Sequence, residues 1–297
     1  MALRNSIFAV SGKASFMDAR RDMSGLFVCD KTTMLPIAGI LDRSQDNLVT
    51  GNSNSMSVTV HPFNAVLNRY GALLIQNDGN VNVPLNAAPS ANSRIDVVYV
   101  KQHETRSPMS DSSDVPAFGV VEGTAAAVPV APAVPDGALA LAQVLLPAGV
   151  SNTAAAGVVI TQTYIGAAMK GDMLRVWTSA QRDALTGVPD GTLLHNVADN
   201  CDYVRNGDAW KMKRKTITFG SVGRNTVVGT VGNVNNISHV YGVALLGSGS
   251  TIPLPFIHPE YPNRGASFSI STSGQVYILY GSENTLQRGH ITICWEY

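Results

Sequence analysis

Cleavage of a glycosidic bond needs two carboxyl groups facing each other across a cleft. From Lys213 to the C-terminus the chain offers only Glu260, Glu283 and Glu296, and no aspartate. Glu296 falls on the last expected strand, so convergence of a catalytic pair is disfavoured. His61, His103, His195, His239, His258 and His290 are scattered, with none at helical i, i+4 spacing or beside a carboxylate cluster, which argues against a metal site. Cys29, Cys201 and Cys294 are odd in number and far apart, so neither a disulfide framework nor a structural zinc is expected. No phosphate loop, dinucleotide fingerprint, zincin motif or nucleophile elbow occurs. The chain therefore reads as non-enzymatic, with no catalytic residue, metal or cofactor.

Binding chemistry concentrates between Thr251 and Arg264. Pro253, Pro255, Pro259 and Pro262 stiffen this segment and lower the ordering cost of binding. Tyr261 can lie against the apolar face of a sugar, while Arg264, His258 and Glu260 reach hydroxyls or phosphate. A second reading, a packed inter-strand connection with Phe256 in the core, stands beside it.

Charged residues make up 14% of the 297 residues, well below the roughly 25% usual for soluble domains. Asn, Ser, Thr and Gly, or neighbouring subunits, must cover the surface. Net charge is zero, so no global field draws the chain to nucleic acid or to a membrane. The basic run Lys211–Lys215 reads as a solvated connector. The apolar run Ile7–Val10 is too short for a secretory signal, and no apolar run reaches the ~18 residues of a spanning helix. Synthesis in the cytosol and no membrane insertion are expected.

The elements that must position these groups are mainly β. Ser15 with Asp18 caps a helix that stops at Gly25. Alternation in Met56–His61 puts Met56, Val58 and Val60 on one face. Leu73–Gln76 and Val81–Leu85 flank Asn77-Asp78-Gly79-Asn80, a strong turn signal. Ser93–Val100, Phe118–Thr124 and Ala138–Leu146 read as strands, Val158–Thr163 as the closing one, and His103–Asp114 as an exposed polar loop. Pro129, Pro132 and Pro135 make 125–135 an extended surface strap. Leu174–Trp177 is a strand, and Thr178 or Ser179 caps a helix through Leu185. Leu193–Val197 then pairs with Cys201–Val204, and Trp177, Tyr203 and Trp210 form a mini-core. Ala266–Ser271 and Val276–Tyr280 make a hairpin. His290–Tyr297 puts Ile291, Ile293 and Trp295 on one face and His290, Thr292, Cys294 and Glu296 on the other. The fold expected is an N-terminal β-barrel or sandwich-like domain (1–165), a small β-α-β-β spacer (166–212) and a C-terminal β-sandwich head (213–297).

Arg94-Ile95-Asp96, Gly123-Thr124, Pro129, Pro132, Leu141-Ala142, Val144 and Ala148-Gly149 follow one another in an order and spacing that resembles a module of minor tail and baseplate proteins of long-tailed, siphovirus-type bacteriophages, especially those of actinobacteria. Ala125 departs from the proline usual there, which loosens the turn. Thr178, Arg182, Leu185, Asp190, Gly191, Tyr203 and Trp210 are similar to small spacer modules of tail fibres, and the C-terminal part resembles fibre head domains. The resemblance implies a virion tail protein that attaches through its N-terminal domain to other tail or baseplate proteins. It also implies that the C-terminal domain recognises host cell-surface polysaccharide or a teichoic-acid-like glycan, and that the chain forms a homotrimer. A purely structural baseplate or collar protein is the alternative. Arg94 and Asp96 share a strand face and are expected to pair with each other or with backbone near Gly123, fixing the N-terminal domain.

Overall fold

The structure is a computed structural model that describes residues 15–41, 47–232, 234–255, 266–281 and 286–296. The fold is mainly β. The chain divides into two compact units: residues 1–175 with 187–189, and residues 176–186 with 190–297.

The first unit opens on α1 (Phe16–Ser24), followed by β1 (Gly39–Ile40), β2 (Val49–Gly51), β3 (Ser57–Val60), β4 (Phe63–Asn68), β5 (Ala72–Asn77), β6 (Val81–Pro84), β7 (Arg94–Gln102), β8 (Pro116–Val121), β9 (Leu139–Leu146) and β10 (Val159–Gln162). The capping box at the start of α1 is formed: the Ser15 hydroxyl accepts from the Asp18 N–H, and the Asp18 carboxylate accepts from the Ser15 N–H at 2.9 Å. The helix crosses the β4–β5 turn closely. A Cβ on Gly71, whose φ is +143°, would meet the Arg20 backbone at 2.6 Å, so glycine there lets the helix seat.

Three sheets form, ordered β1-β4-β5, β2-β3-β6 and β10-β9-β7-β8. Val58 and Val60 point inward as their alternation implies. The Asn77–Asn80 turn is not a hairpin turn, because β5 pairs with β4 while β6 pairs with β3. Neither Asp78 nor Gly79 has the positive φ that a tight type I′ reversal requires, so the chain crosses from one sheet to another there. In β9, burial alternates as Leu139 and Leu141, then Ala142, Val144 and Leu146. The change of phase coincides with a bulge opposite Val98/Tyr99, where one extra residue reverses which side faces the core. The strap 125–135 is neither helix nor strand, and it leaves Val128 82% and Val130 77% exposed.

β11 (Met173–Val176) runs up to the second unit, which holds α2 (Ser179–Ala184), β12 (Leu193–Asn196), β13 (Cys201–Asn206), β14 (Ala209–Phe219), β15 (Thr226–Thr230), β16 (Ile237–Leu246), β17 (Thr251–Leu254), β18 (Ala266–Ile270), β19 (Gln275–Tyr280) and β20 (Leu286–Trp295). Thr178 caps α2. Residues 201–219 run through β13 and the long β14 without a break in the sheet, which carries the order β12-β13-β14-β20-β16-β17 in this unit. β15-β19-β18 forms the facing layer. Ile217, Ala244, Ile252, Leu254, Ile291, Ile293 and Trp295 from the first sheet share one core with Ala266, Val276 and Ile278 from the second. This is a β-sandwich with the C-terminal strand in the middle of its larger sheet.

Arg94 and Asp96 meet as their spacing suggests. Arg94 Nε donates to Asp96 Oδ1 at 3.0 Å, and Asp96 Oδ1 also accepts the Gly123 N–H at 3.0 Å. Arg94 reaches the carbonyls of Ala87 and Asn86 as well, at 2.8 and 2.9 Å. Asp96 is fully buried. Replacing it with alanine leaves the buried guanidinium only Glu122, a half-exposed carboxylate 2.8 Å from Arg94 Nη1, as counter-charge, an expected loss of about 3 kcal/mol, the lower end of what breaking a buried pair costs. Urea unfolding of Asp96→Ala beside the parent checks this; a difference under about 1 kcal/mol, the scale of an exposed pair, would refute it.

Candidate functional site

Among the residues singled out for sugar binding, His258, Glu260, Tyr261 and Arg264 lie outside the described residues, as does Phe256. The flank on which their segment begins is described. β17 pairs along β16, with Ile252 and Leu254 in the core and Pro253 outward against Val243.

That pairing continues across the solvent face of the larger sheet. One cross-strand row reads His195, Asp202, Arg214, Cys294, His239; the next reads Thr216, Thr292, Tyr241; the next Thr218, His290, Val243, Pro253; and the last Arg288, Leu245, Thr251. The alternation that buries Ile291 and Ile293 turns Arg288 and His290 to this face. Tyr241 is 47% exposed, and its ring stacks on His239 at 5.8 Å between centroids. Val243 beside it is also exposed. Arg288 has no partner among the described residues. An aromatic ring, a forked cation and a set of threonines thus share one flat surface. Arg suits bidentate contact with carboxylate or phosphate, and an exposed ring suits the apolar face of a sugar.

The first row contains groups that elsewhere do acid–base or thiol chemistry. His195 Nδ1 lies 2.7 Å from Asp202 Oδ1, and Arg214 Nε donates to Asp202 Oδ2 at 2.8 Å. Burial works to raise the Asp202 pKa, but the contacts from His195 and Arg214 outweigh it and leave the carboxyl below its ordinary value. Burial raises the Cys294 thiol, so it is protonated at neutral pH and not an activated nucleophile. Three strand spacings, ~14 Å, separate it from His195. Its direct neighbour His239 is held by the Ser238 hydroxyl at 2.9 Å. Cys201 is pushed up to about 12, chiefly by burial. Among the described residues no three His, Cys, Asp or Glu side chains are placed to hold a metal ion. The expected three-residue turn Ala198–Asn200 would set His195 opposite Tyr203; the strands instead pair from Asn196 and Cys201, a four-residue turn that puts His195 opposite Asp202.

The second polar constellation is one that sequence reasoning missed. The loop 103–114, expected to be exposed, is pinned by Met109, which is buried, and by Asp111. Asp111 takes Lys101 Nζ at 2.8 Å and Arg69 Nη1 at 2.5 Å and accepts the Glu104 N–H at 2.9 Å. Glu104 in turn pairs with Arg20 of α1. Glu104 and Asp111 point inward because three cations from α1, the β4–β5 turn and β7 converge beneath the loop, while the exposed Asp114 accepts from Thr105. Arg69 foremost, then Lys101, holds the Asp111 carboxyl well below the usual range.

Comparison with known protein families, with curated proteins and with solved structures returns no match. The functional reading therefore rests on the residues and their geometry.

The depressed Asp111 pKa fixes a pH dependence. A carboxyl lowered in the folded state contributes stability that is fully present above its unfolded pKa of about 3.9 and declines as pH falls below that toward the folded value. Asp111→Asn should therefore cost stability at pH 7 and less at pH 3, so that its stability curve approaches the parent's on acidification. Urea titrations at both pH values measure this. An equal deficit at the two would show that the carboxylate charge is not what binds the loop.

Proposed function

We propose that this chain is a tail component of a long-tailed bacteriophage, working in the virion tail and recognising glycan on the host surface through its C-terminal unit. The observation that carries the reading is the outward sheet face of Tyr241, Val243, Arg288 and His290. It combines a ring for stacking with a cation that has no partner among the described residues, and the chain continues from β17 into the segment of His258, Glu260, Tyr261 and Arg264. The N-terminal unit would attach to other tail or baseplate proteins. Its Arg94–Asp96–Gly123 frame joins residues that carry the likeness to tail modules, and Val128 and Val130 offer an uncharged apolar strap. A binding protein without catalytic chemistry, metal or cofactor, assembled as a homotrimer, is part of the same proposal. So is the lack of any role for nucleic acid or membrane insertion.

The exposed strap also favours a second reading, a structural baseplate or collar protein whose surfaces all hold other tail subunits. The two differ in what the isolated chain retains, since only a receptor-binding protein adsorbs to cells by itself.

Labelled full-length chain is expected to decorate host cells. Tyr241→Ala and Arg288→Ala should each weaken that binding by about 1–3 kcal/mol, roughly five- to 150-fold in affinity, without lowering the melting temperature. The folded fraction of Asp96→Ala should bind as the parent does. Parent-like adsorption by both face variants would remove the sheet face from the receptor site. No adsorption by the parent would leave the structural reading.

A further inference from the structure

A groove of about 530 Å³ opens beside the β13–β14 hairpin, walled by Arg182, Tyr203, Arg205, Trp210 and Lys211. That volume lies within the ~300–1,000 Å³ of small-ligand sites. Rings and cations alternate along it. The Arg182 guanidinium stands 4.6 Å from the Tyr203 ring centre, and that of Arg205 stands 5.7 Å from the Trp210 ring centre.

The cations differ in how their charge is met. Arg182 is satisfied by Asp183, with Nε and Nη2 at 2.8 and 3.2 Å from the two carboxylate oxygens. Arg205 is only 3% exposed, yet its side chain makes one hydrogen bond among the described residues, from Nη2 to the Thr186 carbonyl at 3.0 Å. Its carboxylate neighbour, Asp208, stands 3.8 Å away on a side chain that is 98% exposed. Arg205 Nε and Trp210 Nε1 are both shut off from water and meet no acceptor among the described residues. Each can only donate, and buried donors without acceptors are uncommon in native proteins. Lys211, at the rim, is exposed and has no partner among the described residues. Two carboxylates also line the groove, Asp183, which is taken by Arg182, and the exposed Asp208, and neither reaches Arg205 Nε or Trp210 Nε1, so these two donors lack an acceptor beside the aromatic surface.

We propose that this groove is a second ligand site, taking a saccharide that carries an oxyanion, carboxylate or phosphate. The anion lies against Arg205 and Lys211, and the apolar face of the sugar ring lies against Trp210. Because the two buried N–H groups are closed to water, the half-exposed Trp210 ring must shift to admit the anion, and its own N–H then reports binding. The site goes beyond the sheet-face reading, since none of these residues belongs to the surface of Tyr241 and Arg288.

The test follows the indole N–H resonances of the full chain by NMR, with the Trp210 signal identified by its loss in Trp210→Phe. Glucuronate and glucose 6-phosphate are titrated as the two oxyanion-bearing probes, with glucose and inorganic phosphate as controls. A saturable shift of the Trp210 signal with either acidic sugar is expected, and which sugar gives it distinguishes carboxylate from phosphate. Lys211→Gln, at an exposed position that does not endanger folding, should weaken it roughly tenfold. Arg205→Gln, with its melting temperature checked, should abolish it, and Tyr241→Ala should leave it unchanged. No shift with either acidic sugar, an equal shift with glucose, or an affinity for inorganic phosphate matching that for the sugars would overturn the assignment. Loss of host-cell binding in the Tyr241 and Arg288 variants bears on the sheet face alone, so the two sites can fail separately.

Discussion

Asp96 has no exposed surface, and a carboxylate so placed is tolerable only when its oxygens are met. Arg94 meets it from two residues away on the same strand face, and the Gly123 N–H meets it from the segment leaving β8. The rest of the Arg94 fork is taken by carbonyls of the segment that enters β7 and by the Glu122 carboxylate, 2.8 Å from Nη1. Three stretches of chain are thereby tied to one charge. A pair of this kind need not add net stability over a well-packed apolar pair. Its effect is on register: sliding β7 by one residue would turn both charges to the other face of the sheet. Gly123 enters for a related reason, because any side chain there would strike the Ile95 carbonyl, which lies 2.1 Å from the position of a Cβ. The pairing of β7 with β8 and β9 follows from these contacts.

The same logic recurs at the other end of that strand, with more groups and more solvent. Lys101 and Arg69 converge on Asp111, and Arg20 brings α1 to Glu104. Neither the helix nor the loop buries much apolar surface of its own; Met109 is the loop's one buried apolar residue. Met23 packs α1 against Phe27, Val66, Ala72 and Ala167, and the charges add the contacts that tie helix and loop together. Ser24 adds a neutral contact, accepting the Ala72 N–H at 2.8 Å while its hydroxyl donates to the Arg20 carbonyl.

Local structure was largely legible in the sequence because it follows from nearest neighbours. The Ser15–Asp18 capping box, the shared face of Arg94 and Asp96 in β7, the inward set Ile291, Ile293 and Trp295 of β20, and the hairpins β12–β13 and β18–β19 all form where residue type and spacing put them. Pairings between distant strands were not legible. Asn77–Asn80 carries every residue of a turn, yet turn chemistry specifies a change of direction and says nothing about which sheet the chain enters next. The Asp111 cluster escaped notice because its members stand at positions 20, 69, 101, 104 and 111, and a Ser-rich loop looks solvated until the cations beneath it are placed. Only part of the candidate site was foreseeable. Arg288 lies two residues before the last expected strand, His290–Tyr297, and nothing local says that β20 starts earlier, inserts between β14 and β16 and so brings Arg288 onto one face with Tyr241.

The insertion of β20 sets the character of that face. A central strand is hydrogen-bonded on both sides, and the backbone under Arg288, His290 and Thr292 is held by β14 for most of its length and by β16 throughout. Thr216 and Thr292 add a side-chain contact of 3.1 Å across the first of these seams. Side chains on such a surface lose little backbone freedom when a ligand arrives, so most of the ordering cost that weakens binding by loops is met during folding. Flatness has the opposite effect: a sheet face cannot enclose a ligand, and each contact it makes stays partly screened by water. A surface of this kind suits a repeating polymer, where many weak contacts along a chain raise the overall avidity. The groove of Arg205 and Trp210 has the complementary geometry, concave and open on one side to solvent, which suits a single charged unit. Flat and concave sites within one β-sandwich would therefore discriminate on different grounds, the face by the length of the polymer and the groove by the charge of its units.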